Sequence, residues 1–99
     1  MDKGTALKYS KEYADKVRKK FSPQKIYMYG SCAYGNPGDE SDIDIAVIFN
    51  GFNGDWLSTS GELWGMTESI STRIEPVLLD IASDRSGFVH EIERTGIEI

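Results

Sequence analysis

At 99 residues the chain has room for one domain, residues 1–99, built on one core, since single domains run to about 100–150 residues. Its 39% apolar and 11% aromatic content excludes disorder. No apolar run nears the roughly 20 residues of a membrane span, and MDKGTALKYS lacks the apolar stretch of a signal segment.

The net charge of −5 is unevenly spread: residues 1–29 carry eight Lys or Arg against three acids, residues 30–99 three Arg against thirteen. An acidic body lacks the basic footprint of a nucleic-acid surface, so a nucleic-acid template is not expected. The basic N-terminal segment reads first as a solvated helix face and second as a contact for an acidic partner or a polyphosphate. Cys32 is the only cysteine, which excludes an internal disulfide and any multi-cysteine metal site. A cytoplasmic protein is the simplest expectation.

Residues 5–21 have the period of an amphipathic helix. Ala6, Tyr9, Tyr13, Ala14, Val17 and Phe21 recur at three- and four-residue steps, with Thr5 as N-cap and Ser22-Pro23 as the stop. Residues 25–29 (KIYMY) form a short strand that ends at Gly30, and residues 35–41 (GNPGDES) are loop by composition. Residues 42–50 form the clearest strand. Alternation places Ile43, Ile45, Val47 and Phe49 on a core face, and Asp42, Asp44, Ala46 and Ile48 on the other, outward one. Residues 56–73 read as a helix with Leu63, Met66 (or Thr67), Ile70 and Ile74 on one stripe, although Gly61 and Gly65 weaken it. Residues 74–79 (IEPVLL) are a strand in which Pro76 points to an edge or irregular position. Residues 86–95 are a short helix closed by Gly96. The expected fold class is α/β (α+β), a short sheet flanked by helices.

Two carboxylates at i and i+2 of a strand share a face and repel each other. A divalent cation removes the conflict, and Mg²⁺ favours one or two carboxylates together with substrate phosphates. A third carboxylate from a neighbouring strand would complete the set: Glu75 first, Asp80 at the far end of the same strand second. Gly30-Ser31 supplies a turn where backbone N–H groups and a hydroxyl can hold phosphate oxygens, and Gly30 lets the backbone approach closely. Phosphate turn plus carboxylate pair is the equipment of nucleotidyl transfer. Cys32 reads as a structural thiol, His90 as part of a solvated helix face, and Trp56 and Trp64 as core or interface anchors. Tyr27 and Tyr29 read as core, with a tyrosine near the turn as a possible neighbour of a nucleobase.

Gly30-Ser31, ten residues, then Asp42-Ile43-Asp44 resembles the signature of the nucleotidyltransferase superfamily that includes DNA polymerase beta. Length, the SDIDIAV strand and the C-terminal FVHEIERTGIEI resemble its smallest branch, the minimal nucleotidyltransferases (MNT). The resemblance implies a mixed sheet with the site at one edge. It also implies Asp42, Asp44 and Glu75 as catalytic Mg²⁺ ligands and Gly30 and Ser31 as nucleotide-binding residues. Proteins of this branch are commonly paired with a HEPN-type toxin, so it further implies an antitoxin that moves AMP from ATP to a tyrosine of that partner. Tyr34 departs from the pattern, standing where many members carry arginine; a guanidinium–phosphate contact is worth about 1.5–3 kcal/mol. The alternative function is a binding module that neutralises a partner protein by stoichiometric complex formation.

Overall fold

The computed structural model describes residues 2–34 and 41–99. Most of the loop expected at 35–41 therefore lies outside the described residues. The elements in chain order are α1 (Lys3–Lys20), β1 (Lys25–Tyr29), α2 (Ser31–Tyr34), β2 (Ile43–Phe49), α3 (Trp56–Gly65), β3 (Ile74–Asp80), a 3₁₀ turn (Ile81–Ser83), α4 (Phe88–Thr95) and β4 (Ile97–Glu98). The strands form one sheet of order β3-β2-β1-β4. β2 runs parallel to β3, while β1 is antiparallel to both β2 and β4, which makes the sheet mixed and the fold α+β. Among the described residues no helix is long and apolar enough to cross a membrane.

α1 begins earlier than its apolar period suggests. Asp2 caps it, its Oδ1 accepting from the Thr5 amide at 2.7 Å, so Thr5 is a capped residue and not the cap. The last turn holds Arg18, Lys19 and Lys20, where cations suit the helix dipole. Ala6, Tyr13, Ala14 and Val17 are buried against the sheet. The Tyr13 hydroxyl donates to the Leu63 carbonyl at 2.7 Å and ties α1 to α3, while burial pushes its pKa up.

α3 ends at Gly65, eight residues short of the expected boundary at 73. The chain leaves the helix in tight turns: the Thr67 amide and hydroxyl both donate to the Trp64 carbonyl, at 3.1 and 2.8 Å. Met66 and Ile70 still pack on the core from these turns, which is why the apolar period runs on past the helix. Pro76 sits in edge strand β3, as expected, where a missing N–H disturbs no inner ladder.

The sheet is covered on both faces. Ile26, Met28, Ile43, Ile45, Val47, Ile74 and Leu78 face α1 and α3. Tyr27, Ala46 and Ile48 face α4 through Val89 and Ile92. The outward face expected for β2 is thus a second, smaller core, because the amphipathic α4 closes over its middle. Fully burying an aliphatic side chain of this kind stabilises by about 1.5–3 kcal/mol.

Candidate active site

The face under α4 has one end that the helix does not reach. In the sheet register Tyr29 of β1 pairs with Asp44 of β2, and Asp44 with Glu75 of β3. The alternation that sends Tyr27, Ala46 and Val77 toward α4 sends Tyr29, Asp44 and Glu75 to the same side, one step beyond its cover. Asp42 precedes β2 and is exposed; Asp44 is half-buried; Glu75 is exposed on the edge strand.

Electrostatics follow from this row. Burial pushes the Asp44 carboxyl above the usual range, and the charge of Asp42 adds to the rise. Lost hydration also raises Glu75, followed by the charge of Asp42, a hydrogen bond with Asp42, and the charge of Asp44. Three carboxylates therefore sit within mutual reach on one side of the sheet, where the charge of Asp42 raises the cost of ionising Asp44 and Glu75. Burial raises Tyr29 too, with Asp44 and Glu75 next as causes. Its ring meets Phe88, the first residue of α4, edge-on at 5.7 Å. Tyr29 and Phe88 thus wall the carboxylate row on the β1 side, a role that sequence reasoning did not assign to either.

Gly30 turns the chain from β1 into α2 with φ of +74°, a conformation that favours glycine. A Cβ at this position would lie 2.5 Å from Asp44 Oδ2. The turn and the acid therefore touch, and only hydrogen fits between them. The Gly30 carbonyl accepts from the amides of Ala33 and Tyr34, at 3.0 and 3.3 Å, and so closes α2 as a single turn. Ser31, its first residue, is exposed. Cys32 is fully buried beneath it, with Sγ donating to the Asp42 carbonyl at 3.2 Å. Burial pushes its pKa up, as suits a structural thiol. Tyr34 is 67% exposed on the outer side of α2.

The structure separates the two candidates for a third carboxylate. Glu75 stands beside Asp44, whereas Asp80 closes the opposite end of β3. Asp80 accepts from the amides of Gly51, Phe52 and Ala82, at 2.8, 2.8 and 3.0 Å, which holds its pKa down and gives it a structural task. His90 is exposed on α4, and Trp56 and Trp64 are about half exposed, so neither tryptophan belongs to the core. A hollow of about 470 Å³ along α1, lined by Gly4, Leu7, Lys8, Lys11, Glu12 and Asp15, includes none of the site residues.

The donor chemistry of Asp42, Asp44 and Glu75 fits a hard divalent cation: oxygen only, net negative, on one side of adjoining strands. Among the described residues no three His, Cys, Asp or Glu side chains are already gathered as a metal would hold them. The acids share a side of the sheet, with Glu75 and Asp42 in hydrogen-bonding reach of each other.

Residues 11–99 match the family described as polymerase beta, nucleotidyltransferase. No curated protein matches. Among solved structures, a putative nucleotidyltransferase from Sulfolobus solfataricus superimposes with a TM-score of 0.64 at 24% identity, covering 98% of this chain and 79% of that one. A mutant of the toxin-antitoxin MntA-HpeT superimposes with a TM-score of 0.66 at 22% identity, covering 90% and 70%. At such identities these two speak for the fold, whereas the family match runs through β1, the Gly30 turn and the carboxylate row. The chain belongs to the polymerase beta nucleotidyltransferase family.

Proposed function

We propose that this nucleotidyltransferase moves a nucleoside monophosphate, AMP from ATP, to a hydroxyl on a partner protein, a tyrosine of a HEPN-type toxin. The observation that carries the reading is the contact between the Gly30 turn and Asp44, which would set phosphates held by that turn directly beside a row of acids. Likeness to the MntA-HpeT fold supports the choice of a protein acceptor over a template, as does the acidic body.

Asp42, Asp44 and Glu75 would hold Mg²⁺, which supplies Lewis-acid neutralisation of the triphosphate and of the attacking oxygen. The backbone at Gly30-Ser31 and the Ser31 hydroxyl orient the phosphates. The acceptor oxygen attacks the α-phosphorus, the bond to the β-phosphate oxygen breaks, and pyrophosphate leaves. The proton lost by the hydroxyl has carboxylate acceptors in the same row. Tyr29 and Phe88 form an aromatic wall on one flank.

The test incubates the protein with the product of the adjacent gene, Mg²⁺ and α-labelled ATP. Label is expected on that neighbour and should drop at least 100-fold with Asp42→Ala/Asp44→Ala. Neutralisation of the neighbour that survives those substitutions with no label transferred would replace the enzyme with the stoichiometric binding module, a reading that the exposed, uncharged Tyr34 favours.

A further inference from the structure

The chain around the carboxylate row is short of positive charge. Residues 30–72 hold seven Asp or Glu and neither Lys nor Arg, so Arg73 is the first cation after the Gly30 turn. It stands just before β3. The Ile43 amide donates to its carbonyl at 2.8 Å, which continues the β2–β3 ladder by one step and sets Arg73 beside Asp42. Its own amide donates to the Ser71 hydroxyl at 3.2 Å. The backbone of this half-buried residue is thus pinned on both sides.

The side chain is held far less firmly. Nη1 donates to the Ser41 carbonyl at 3.4 Å, beyond the usual length of such a bond. That carbonyl is one peptide from Asp42, yet among the described residues Arg73 makes no ion pair. Glu75 and Asp42 hydrogen-bond to each other instead. A guanidinium offers five N–H donors in a planar fork, and beside a carboxylate it commonly binds both oxygens. Arg94 does so on α4, donating to Glu91 through Nε and Nη2 at 3.2 and 2.6 Å. Cation and acids at the head of β2 stay separate.

We infer that Arg73 is a phosphate-binding residue, its guanidinium taking oxygens of the nucleotide's phosphate chain from the β3 side. The identity of that anion rests on the proposed transfer reading. The Gly30 turn flanks the acids from β1 and Arg73 flanks them from β3, two strand spacings or about 10 Å apart. A triphosphate laid across the head of β2 meets the turn at one end and the fork at the other. Three acids repel such an anion, and a cation of the protein's own on their flank offsets that repulsion.

Calorimetric titration of Mg-ATP into the protein tests it. Arg73→Gln should raise Kd about 10–100-fold, the loss of a hydrogen bond between charged groups. Arg73→Lys keeps the charge without the fork and should lose less. Arg73→Ala should regain affinity with millimolar guanidinium ion and not with sodium chloride of equal ionic strength. Lys19→Gln removes the same charge from the exposed last turn of α1 and should bind as wild type. Without nucleotide all four variants should melt close to wild type; if Arg73→Gln melts early, Arg73→Lys and the guanidinium arm decide. Unchanged affinity in Arg73→Gln overturns the inference, as does an equal loss in Lys19→Gln or a failed rescue. A wild type that does not bind Mg-ATP overturns the transfer reading with it. Binding that depends on Arg73, with no label passed to the neighbour, sinks that reading alone.

Discussion

Asp44 bears a carboxylate in a half-buried position between Tyr29 and Glu75, with Asp42 two residues away and a glycine turn against its Oδ2. Such an arrangement costs stability, a cost that the proposed transfer site would explain. Asp44→Asn keeps the shape and removes one of three like charges. In metal-free buffer with EDTA it should raise stability by about 0.5–2 kcal/mol in urea denaturation, while transferase activity is lost. Asp80 behaves in the opposite sense. Its amide hydrogen bonds lower its pKa in the fold from the unfolded value of 3.8. Its contribution to stability is therefore present above about pH 3.8 and disappears as pH falls through the lower folded value. Asp80→Asn should melt below wild type at pH 7, and the two melting curves should converge as pH falls through that interval. That Asp42 and Asp44 share one side of a strand was legible because their spacing alone puts them there. Glu75 was legible as the first candidate for a third acid on a neighbouring strand, but its register against Asp44 was not, because a parallel pairing reached through α3 sets it. Tyr29 was equally hidden: only the β1–β2 register shows that it stands opposite Asp44.

At the scale of elements, periodicity revealed what it physically encodes. α1, β1, β2 and β3 each bury a regular set of side chains, and each was readable within two or three residues of its ends. α3 was read too long because Met66 and Ile70 keep an apolar rhythm after the backbone has left the helix. β4 was invisible, since two residues carry no period and its partner β1 lies some seventy residues earlier in the chain. The chain can turn from α4 into β4 because Gly96 packs against backbone. A Cβ there would lie 2.7 Å from the Ile92 carbonyl oxygen and 3.0 Å from that of Met28. Gly96→Ala should therefore cost about 1–3 kcal/mol in chemical denaturation, by overpacking and not by backbone strain. The loss should fall with little change in the m-value, since the surface exposed on unfolding is unchanged.

At the scale of the whole molecule, the sheet divides the chain into two sides. α1 and α3 build the larger core; α4 builds the smaller core and leaves the acid row open at its end. A nucleotide bound at that open end stabilises the native state alone. Mg-ATP at about 100 times its dissociation constant should add roughly 2.7 kcal/mol to unfolding. Thermal denaturation with Mg-ATP, with Mg²⁺ alone and with ATP plus EDTA checks this, and only the first should give the full shift. An equal shift with ATP plus EDTA would show binding that does not use the carboxylate row.

The single thiol gives that open end a clock of its own. Cys32 lies fully buried in α2, tied to the Asp42 carbonyl, so it links the Gly30 turn to the strand that carries the acids. A thiol reagent can reach Cys32 only when α2 lifts from the sheet, which makes the labelling rate a count of local openings below the threshold of global unfolding. Phosphate groups held by the turn should slow that rate in proportion to occupancy. The residue with no part in the chemistry is thus the one whose reaction with the solvent reports, second by second, whether the site is open.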